Sequence, residues 1–168
     1  MPHLVTALDE IKILAEEREN ENDGFRVFLK SSDGKAIDTL VHQLNNTITP
    51  QIDCTACGNC CKSLMINVTT EESENLASHL QTTVQDIKEK YLDESAGGKM
   101  VISKIPCHFL SGTKCSIYEH RFEGCREFPH LNRDNFTNRL FGIMMYYPVC
   151  PIIFNVVEAL KIKTGFHK

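Results

Sequence analysis

At 168 residues, 42% of them hydrophobic and 24% charged, the chain is long enough for one compact domain with a real core and has no disordered composition. Its 18 basic and 22 acidic residues leave a net charge of −4, and no long Lys/Arg cluster offers a footprint for a phosphate backbone, so nucleic acid is not an expected partner. No apolar run approaches the roughly 20 residues a bilayer span needs, the longest covering residues 143 to 149, so no membrane partner is expected either.

The start, Met1-Pro2-His3-Leu4 running into Asp9-Glu10 and Glu16-Glu17, lacks the basic opening and continuous apolar stretch of a secretory signal. A cytoplasmic location is therefore expected, where thiols stay reduced. Leu4, Leu8, Ile11 and Ala15 fall at helical spacing, and the acidic stretch 16 to 23 reads as a solvated continuation. Phe25, Phe28 and Leu29, then Ile37, Leu40, Val41 and Leu44, repeat the helical pattern on either side of the loop Ser31-Ser32-Asp33-Gly34. Residues 47 to 53, with Pro50, break that pattern and lead into a run of cysteines.

Beyond the run, Leu64, Ile66 and Val68 alternate as in a short strand, and Thr69-x-x-Glu72 reads as a capping box opening a helix that buries Leu76 and Leu80. Thr83-x-x-Asp86 opens a second helix burying Val84, Ile87 and Tyr91, which makes a helical hairpin over about 70 to 92. Gly97-Gly98 ends it, and Val101, Ser103 and Ile105 read as a strand toward Cys107. Residues 107 to 130 carry few regular apolar repeats, suggesting loops held by something other than a continuous core. Residues 139 to 147 read as a strand, and Pro151 suits the first position of a closing helix bearing Ile152, Ile153, Val156, Val157 and Leu160. The expected fold is an α-rich α+β domain, with short strands and irregular loops around a cysteine-ligated metal centre. It is expected as a single domain over 1–168, with 1–50 as a helical extension and 51–160 as the metal-binding region.

Eight cysteines carry the chemistry. Cys54-x2-Cys57-x2-Cys60 twice repeats the spacing that lets two sulfurs turn toward one ion, and Cys61 follows directly. The triple spacing also begins the ferredoxin run, in which a remote Cys-Pro completes the ligand set, and Cys150-Pro151 has that remote form. On that reading Cys150 lies beside the Cys54 loop, with its thiolate favoured by the start of the helix at Pro151. Cys107, Cys115, Cys125 and Cys150 are four further candidates, so the count permits two tetrahedral sites or one cluster with a spare group. All-sulfur ligands select zinc, copper(I) or iron–sulfur clusters over magnesium or calcium. His108, His120 and His130 lie nearby and could ligate or move protons, and each also reads as a surface histidine. Arg126 could neutralise thiolate charge or sit in a surface salt bridge, while Tyr118 and Phe128 read as packing residues.

Four ordered segments are Cys54-Thr-Ala-Cys57-Gly-Asn-Cys60-Cys61, Cys107-His-Phe-Leu with Cys115-Ser-Ile-Tyr118-Glu, Cys125-Arg126-Glu-Phe128-Pro129, and Cys150-Pro151. Together they resemble the CxxCxxCC family, the YkgJ-type cysteine cluster proteins, over about residues 54 to 160. Phe122 follows Arg121 where that pattern usually has proline. The resemblance implies a zinc- or iron-chelating domain with all eight cysteines as candidate ligands. Flagellin lysine methylases look similar in their cysteine cluster, which opens a cluster-dependent group-transfer enzyme as an alternative. No glycine-rich strand-to-helix turn of the kind that cradles a nucleotide-like cofactor accompanies it. The expected function is metal binding, with an iron–sulfur cluster (4Fe-4S favoured) or zinc as cofactor, and a zinc-stabilised interaction module as a further alternative.

Overall fold

The computed structural model describes residues 4–166, so the Met1 to His3 start weighed above lies outside the described residues. In chain order the elements are α1 (Leu8–Glu17), α2 (Glu19–Lys30), α3 (Gly34–Ile48), α4 (Cys54–Cys57), β1 (Asn67–Val68), α5 (Thr70–Leu80), α6 (Val84–Tyr91), β2 (Leu92–Glu94), β3 (Met100–Ile102), β4 (Leu110–Ser111), β5 (Lys114–Cys115), α7 (Glu123–Glu127), α8 (Leu140–Met145) and α9 (Pro151–Lys163). This is an α-rich α+β chain with short strands. No described helix is long and apolar enough to cross a membrane. The described residues form two compact units, one made of those up to 53 together with those from 129 onward, the other of Cys54–Phe128.

The first unit is helical. Helical spacing brings Ile11 and Ala15 of α1, Phe25 and Leu29 of α2, and Ile37, Val41, Leu44 and Ile48 of α3 inward. Asp33 caps α3, its side chain accepting from the Lys35 N–H at 3.0 Å. Helix α9 starts with Pro151 in its first turn, buries residues from Pro151 to Val157 without a break, and packs on α1 and α3. It is apolar nearly all round because it is central.

Two expectations need correcting in this unit. The acidic stretch is not a uniformly solvated continuation: the backbone leaves the helix at Arg18 (φ −100°, ψ 13°), and α2 then turns Asn22 into the interior. Nor are residues 139 to 147 a strand. Leu140, Ile143 and Tyr147 are buried at spacings of three and four, which is a helical stripe, and Leu140, Met144 and Met145 are good helix formers. A 3-10 turn, Phe136–Arg139, leads into α8. The Asp38 carboxylate caps its start, accepting the N–H groups of Asn135 at 2.8 Å and Phe136 at 2.9 Å.

The second unit combines a helical hairpin with a small antiparallel sheet in the order β1-β3-β2, registered Asn67↔Val101 and Leu92↔Ile102. Both capping boxes form, at Thr69 with Glu72 and at Thr83 with Asp86. The expected strands are shorter than their alternation suggests, although pairing continues where the Ile102 N–H meets the Ile66 carbonyl at 3.0 Å. Ile66, Val68, Leu76, Ile87, Leu92 and Ile102 form the core. Residues 107 to 128 join it through Phe109, Ile117 and Phe122, so this stretch does have apolar anchors of its own. Their irregular spacing hid them from a search for periodicity.

Candidate metal centre

Six cysteines from separate segments of the second unit line one cavity: Cys54 in α4, Cys60 and Cys61 in a 3-10 turn, Cys107 in a loop, Cys115 in β5 and Cys125 in α7. Local backbone bonding builds the cysteine turn, with the Gly58 N–H donating to the Cys54 carbonyl at 3.0 Å and the Leu64 N–H to the Cys60 carbonyl at 2.9 Å. A bond from the Cys107 N–H to the Cys61 carbonyl, 2.8 Å long, ties the two segments together beside their side chains.

Gly58 is required twice over. Its φ is +59°, and a Cβ there would lie 2.4 Å from the Thr113 carbonyl oxygen and 2.8 Å from the Thr113 Cα. The cysteine turn therefore rests backbone to backbone on the tight β4–β5 hairpin, where Cys115 pairs with Leu110. Close approach of these two backbones places Cys54, Cys60, Cys61 and Cys115 around one space.

None of the eight cysteines is in a disulfide. Within the cavity their environments differ. Cys61 is lowered to about 6, first by its hydrogen bond with Cys60, against the opposing effect of burial and with help from the Arg121 charge. Burial pushes Cys125 up to about 12, and burial likewise raises Cys107 and Cys115. One ready thiolate thus sits among thiols whose protons a cation would have to displace. Among the described residues no three His, Cys, Asp or Glu side chains already stand as a metal-binding group. The donor set fits a soft metal: it is all sulfur, it surrounds about 50 Å³ of space, and it has a cation at its edge.

That cation is Arg121, a residue the sequence reading passed over in favour of Arg126. The Arg121 guanidinium lies 3.6 Å over the Tyr118 ring, and its Nε donates to the Tyr118 carbonyl at 2.8 Å. Both residues line the cavity. Arg121 directly follows the 3-10 turn Tyr118–His120, and its place three residues after Tyr118 was the available signal. Arg126 does not line the cavity and donates to the Arg121 carbonyl instead.

Cys57 shares the turn of α4 with Cys54 but is not part of the cavity lining, and Cys150, 9% exposed at the start of α9, belongs to the helical unit. His108 Nε2 is 2.9 Å from the Ser103 hydroxyl, and His120 stacks on His79 with ring centroids 3.8 Å apart. His130 sits in the helical unit at φ 58°. None of the three lines the cavity. Phe122, standing where proline was expected, keeps a φ of −60° that proline would also adopt, and buries its ring in the core.

A family model described as "Putative zinc- or iron-chelating domain", CxxCxxCC, matches residues 53–142 of the chain. No curated protein and no solved structure matches it.

Proposed function

We propose that this chain, which belongs to the CxxCxxCC family, is a metal-binding protein that holds iron, as an iron–sulfur cluster, through cysteine thiolates of its second unit. The observation that carries this reading is the convergence of Cys54, Cys60, Cys61, Cys107, Cys115 and Cys125 on one cavity. Six sulfurs exceed what one tetrahedral ion needs and suit a centre with several metal atoms. Cys57, one turn of helix from Cys54, is the seventh cysteine of that unit.

The chain's own residues have distinct parts in this reading. Cys61, already favouring its thiolate, would be the readiest ligand, and Cys107, Cys115 and Cys125, whose thiols burial holds protonated, would have to give up their protons to ligate. Arg121 offsets the accumulating negative charge, and Gly58 lets the backbone bend close enough for the sulfurs to converge.

A second reading, zinc, is favoured by the size of the cavity. A space of about 50 Å³ suits one or two bare ions better than a cubane. Anaerobic purification followed by an absorption spectrum and iron, sulfide and zinc analysis separates the two. Visible absorbance with iron and sulfide supports the first, and a colourless zinc protein the second. A protein that binds neither metal, or that keeps its metal when Cys61, Cys115 and Cys125 are all replaced by serine, overturns both.

A further inference from the structure

The seven cysteines of the second unit fall into groups with different surroundings. Cys61, Cys107, Cys115 and Cys125 come from four separate segments and line the cavity together. The charges acting on Cys107, Cys115 and Cys125 come from within this set and from Arg121, and Cys61 acts on all three of the others. Four thiolates complete the ligand set of one tetrahedral ion or of one iron–sulfur cluster. Cys60 hydrogen-bonds Cys61 beside them.

Cys54 and Cys57 are the two ends of the single turn α4. Cys54 is exposed, alone among the eight cysteines, and also lines the cavity, so it stands at the open side; Cys57 is half-buried and outside the lining. Three residues apart in an α-helix, their Cα atoms lie about 5 Å from each other, within the roughly 4.4–6.8 Å that a disulfide spans. In a regular turn the two Cβ atoms remain somewhat too far apart for the bond. Cys54 can close that gap because it is the first residue of the helix: its N–H has no place in the intrahelical ladder, so its backbone can turn without losing a helical donor.

We propose that Cys54 and Cys57 form a redox-active dithiol that exchanges with a low-molecular-weight disulfide, leaving Cys61, Cys107, Cys115 and Cys125 to the metal. The exposed Cys54 attacks one sulfur of the small disulfide. A mixed disulfide forms, and one small thiol leaves with the proton that Cys54 gives up. Cys57 then attacks the Cys54 sulfur, the bond between Cys54 and Cys57 closes, and the second small thiol leaves with the Cys57 proton. Two protein thiols are oxidised and one disulfide is reduced to two thiols. A small disulfide fits this order of events, because only Cys54 is open to solvent while Cys57 is recessed behind it. The place of the other four cysteines rests on the metal reading above; the exchange itself does not.

The test equilibrates the intact protein, without oxygen, in mixtures of reduced and oxidised glutathione, then alkylates the remaining thiols under denaturing conditions and maps the disulfides by tandem mass spectrometry. As the oxidised share rises, Cys54 and Cys57 should be lost to alkylation together, while Cys61, Cys107, Cys115 and Cys125 stay reactive and the metal content stays as it was. Cys57→Ser should stop at a glutathione adduct on Cys54, and Cys54→Ser should carry none, with metal content unchanged in both. A pair that stays reduced in oxidised glutathione, a bond that joins Cys60 to Cys61 instead, or loss of metal from either folded variant overturns the proposal. Mapping on the wild-type chain decides even where a variant fails to fold. A chain that closes this bond but binds neither iron nor zinc would overturn the metal reading and leave the dithiol standing.

Discussion

Glu72 and Glu123 meet through one carboxylate: Glu72 Oε1 accepts the Glu123 backbone N–H at 2.6 Å, while its Oε2 accepts the Thr69 N–H at 2.8 Å. The residue that starts α5 thereby also caps α7, the helix carrying Cys125. Glu72→Gln keeps one acceptor oxygen and can serve only one of these donors, so it should cost about 1 kcal/mol, and Glu72→Ala about 2 kcal/mol. Urea denaturation measures both. Equal stability of all three proteins would remove the tie from α5 to α7.

Gly58→Ala should be among the most damaging single-methyl changes in the chain. The positive φ costs about 1–2 kcal/mol, and the clash with the Thr113 backbone adds a comparable overpacking term, for a total of about 3 kcal/mol. Metal content and denaturation midpoint should fall together. Gly97→Ala, where an added Cβ meets nothing within 4 Å, serves as the control and should change neither.

Arg121→Gln removes the cation from the cavity edge while keeping a polar side chain of similar reach. Metal should be lost to a competing chelator at a concentration about fivefold lower than for wild type, the equivalent of roughly 1 kcal/mol. Arg121→Lys should recover only part of the difference, because an ammonium does not stack on Tyr118 as a guanidinium does. Retention identical to wild type in Arg121→Gln would assign the residue to packing alone.

Asp86 supplies a pH dependence. Hydrogen bonds from the hydroxyls of Thr83 and Thr82 and from the Thr83 N–H hold its carboxyl at about 2 rather than 3.8. A depressed folded-state value means that the stabilisation is complete above the unfolded value and is lost as pH falls through about 2. The Asp86→Asn variant should therefore melt below wild type at pH 6 and converge on it as pH approaches 2. A gap that stays constant across that range would show that the charge is not what stabilises α6.

Much of the helical architecture was legible because it depends on local signals. Ile37, Val41 and Leu44 repeat at helical spacing, and Thr69-x-x-Glu72 and Thr83-x-x-Asp86 announce two helix starts. The cysteines were legible as candidate ligands because the spacing from Cys54 to Cys61 is a local signal. What escaped notice depends on distant partners. Asp38 caps a turn almost a hundred residues away, Gly58 is dictated by Thr113, and Arg121 reaches the cavity by lying on Tyr118. The strand expected at 139 to 147 failed because a short apolar run has no decisive period until Leu140, Ile143 and Tyr147 are seen to share one buried face.

The central position of α9 bears on the order of events during synthesis. The helical unit is discontinuous in sequence, and α3 finds its packing partner in a helix that begins at Pro151. A chain emerging from the ribosome carries α1 to α3 with an apolar flank uncovered until that helix follows, whereas Cys54–Phe128 is contiguous and holds its own sheet and hairpin. The thiol-bearing unit is therefore assembled early, and the earlier-made helices finish last.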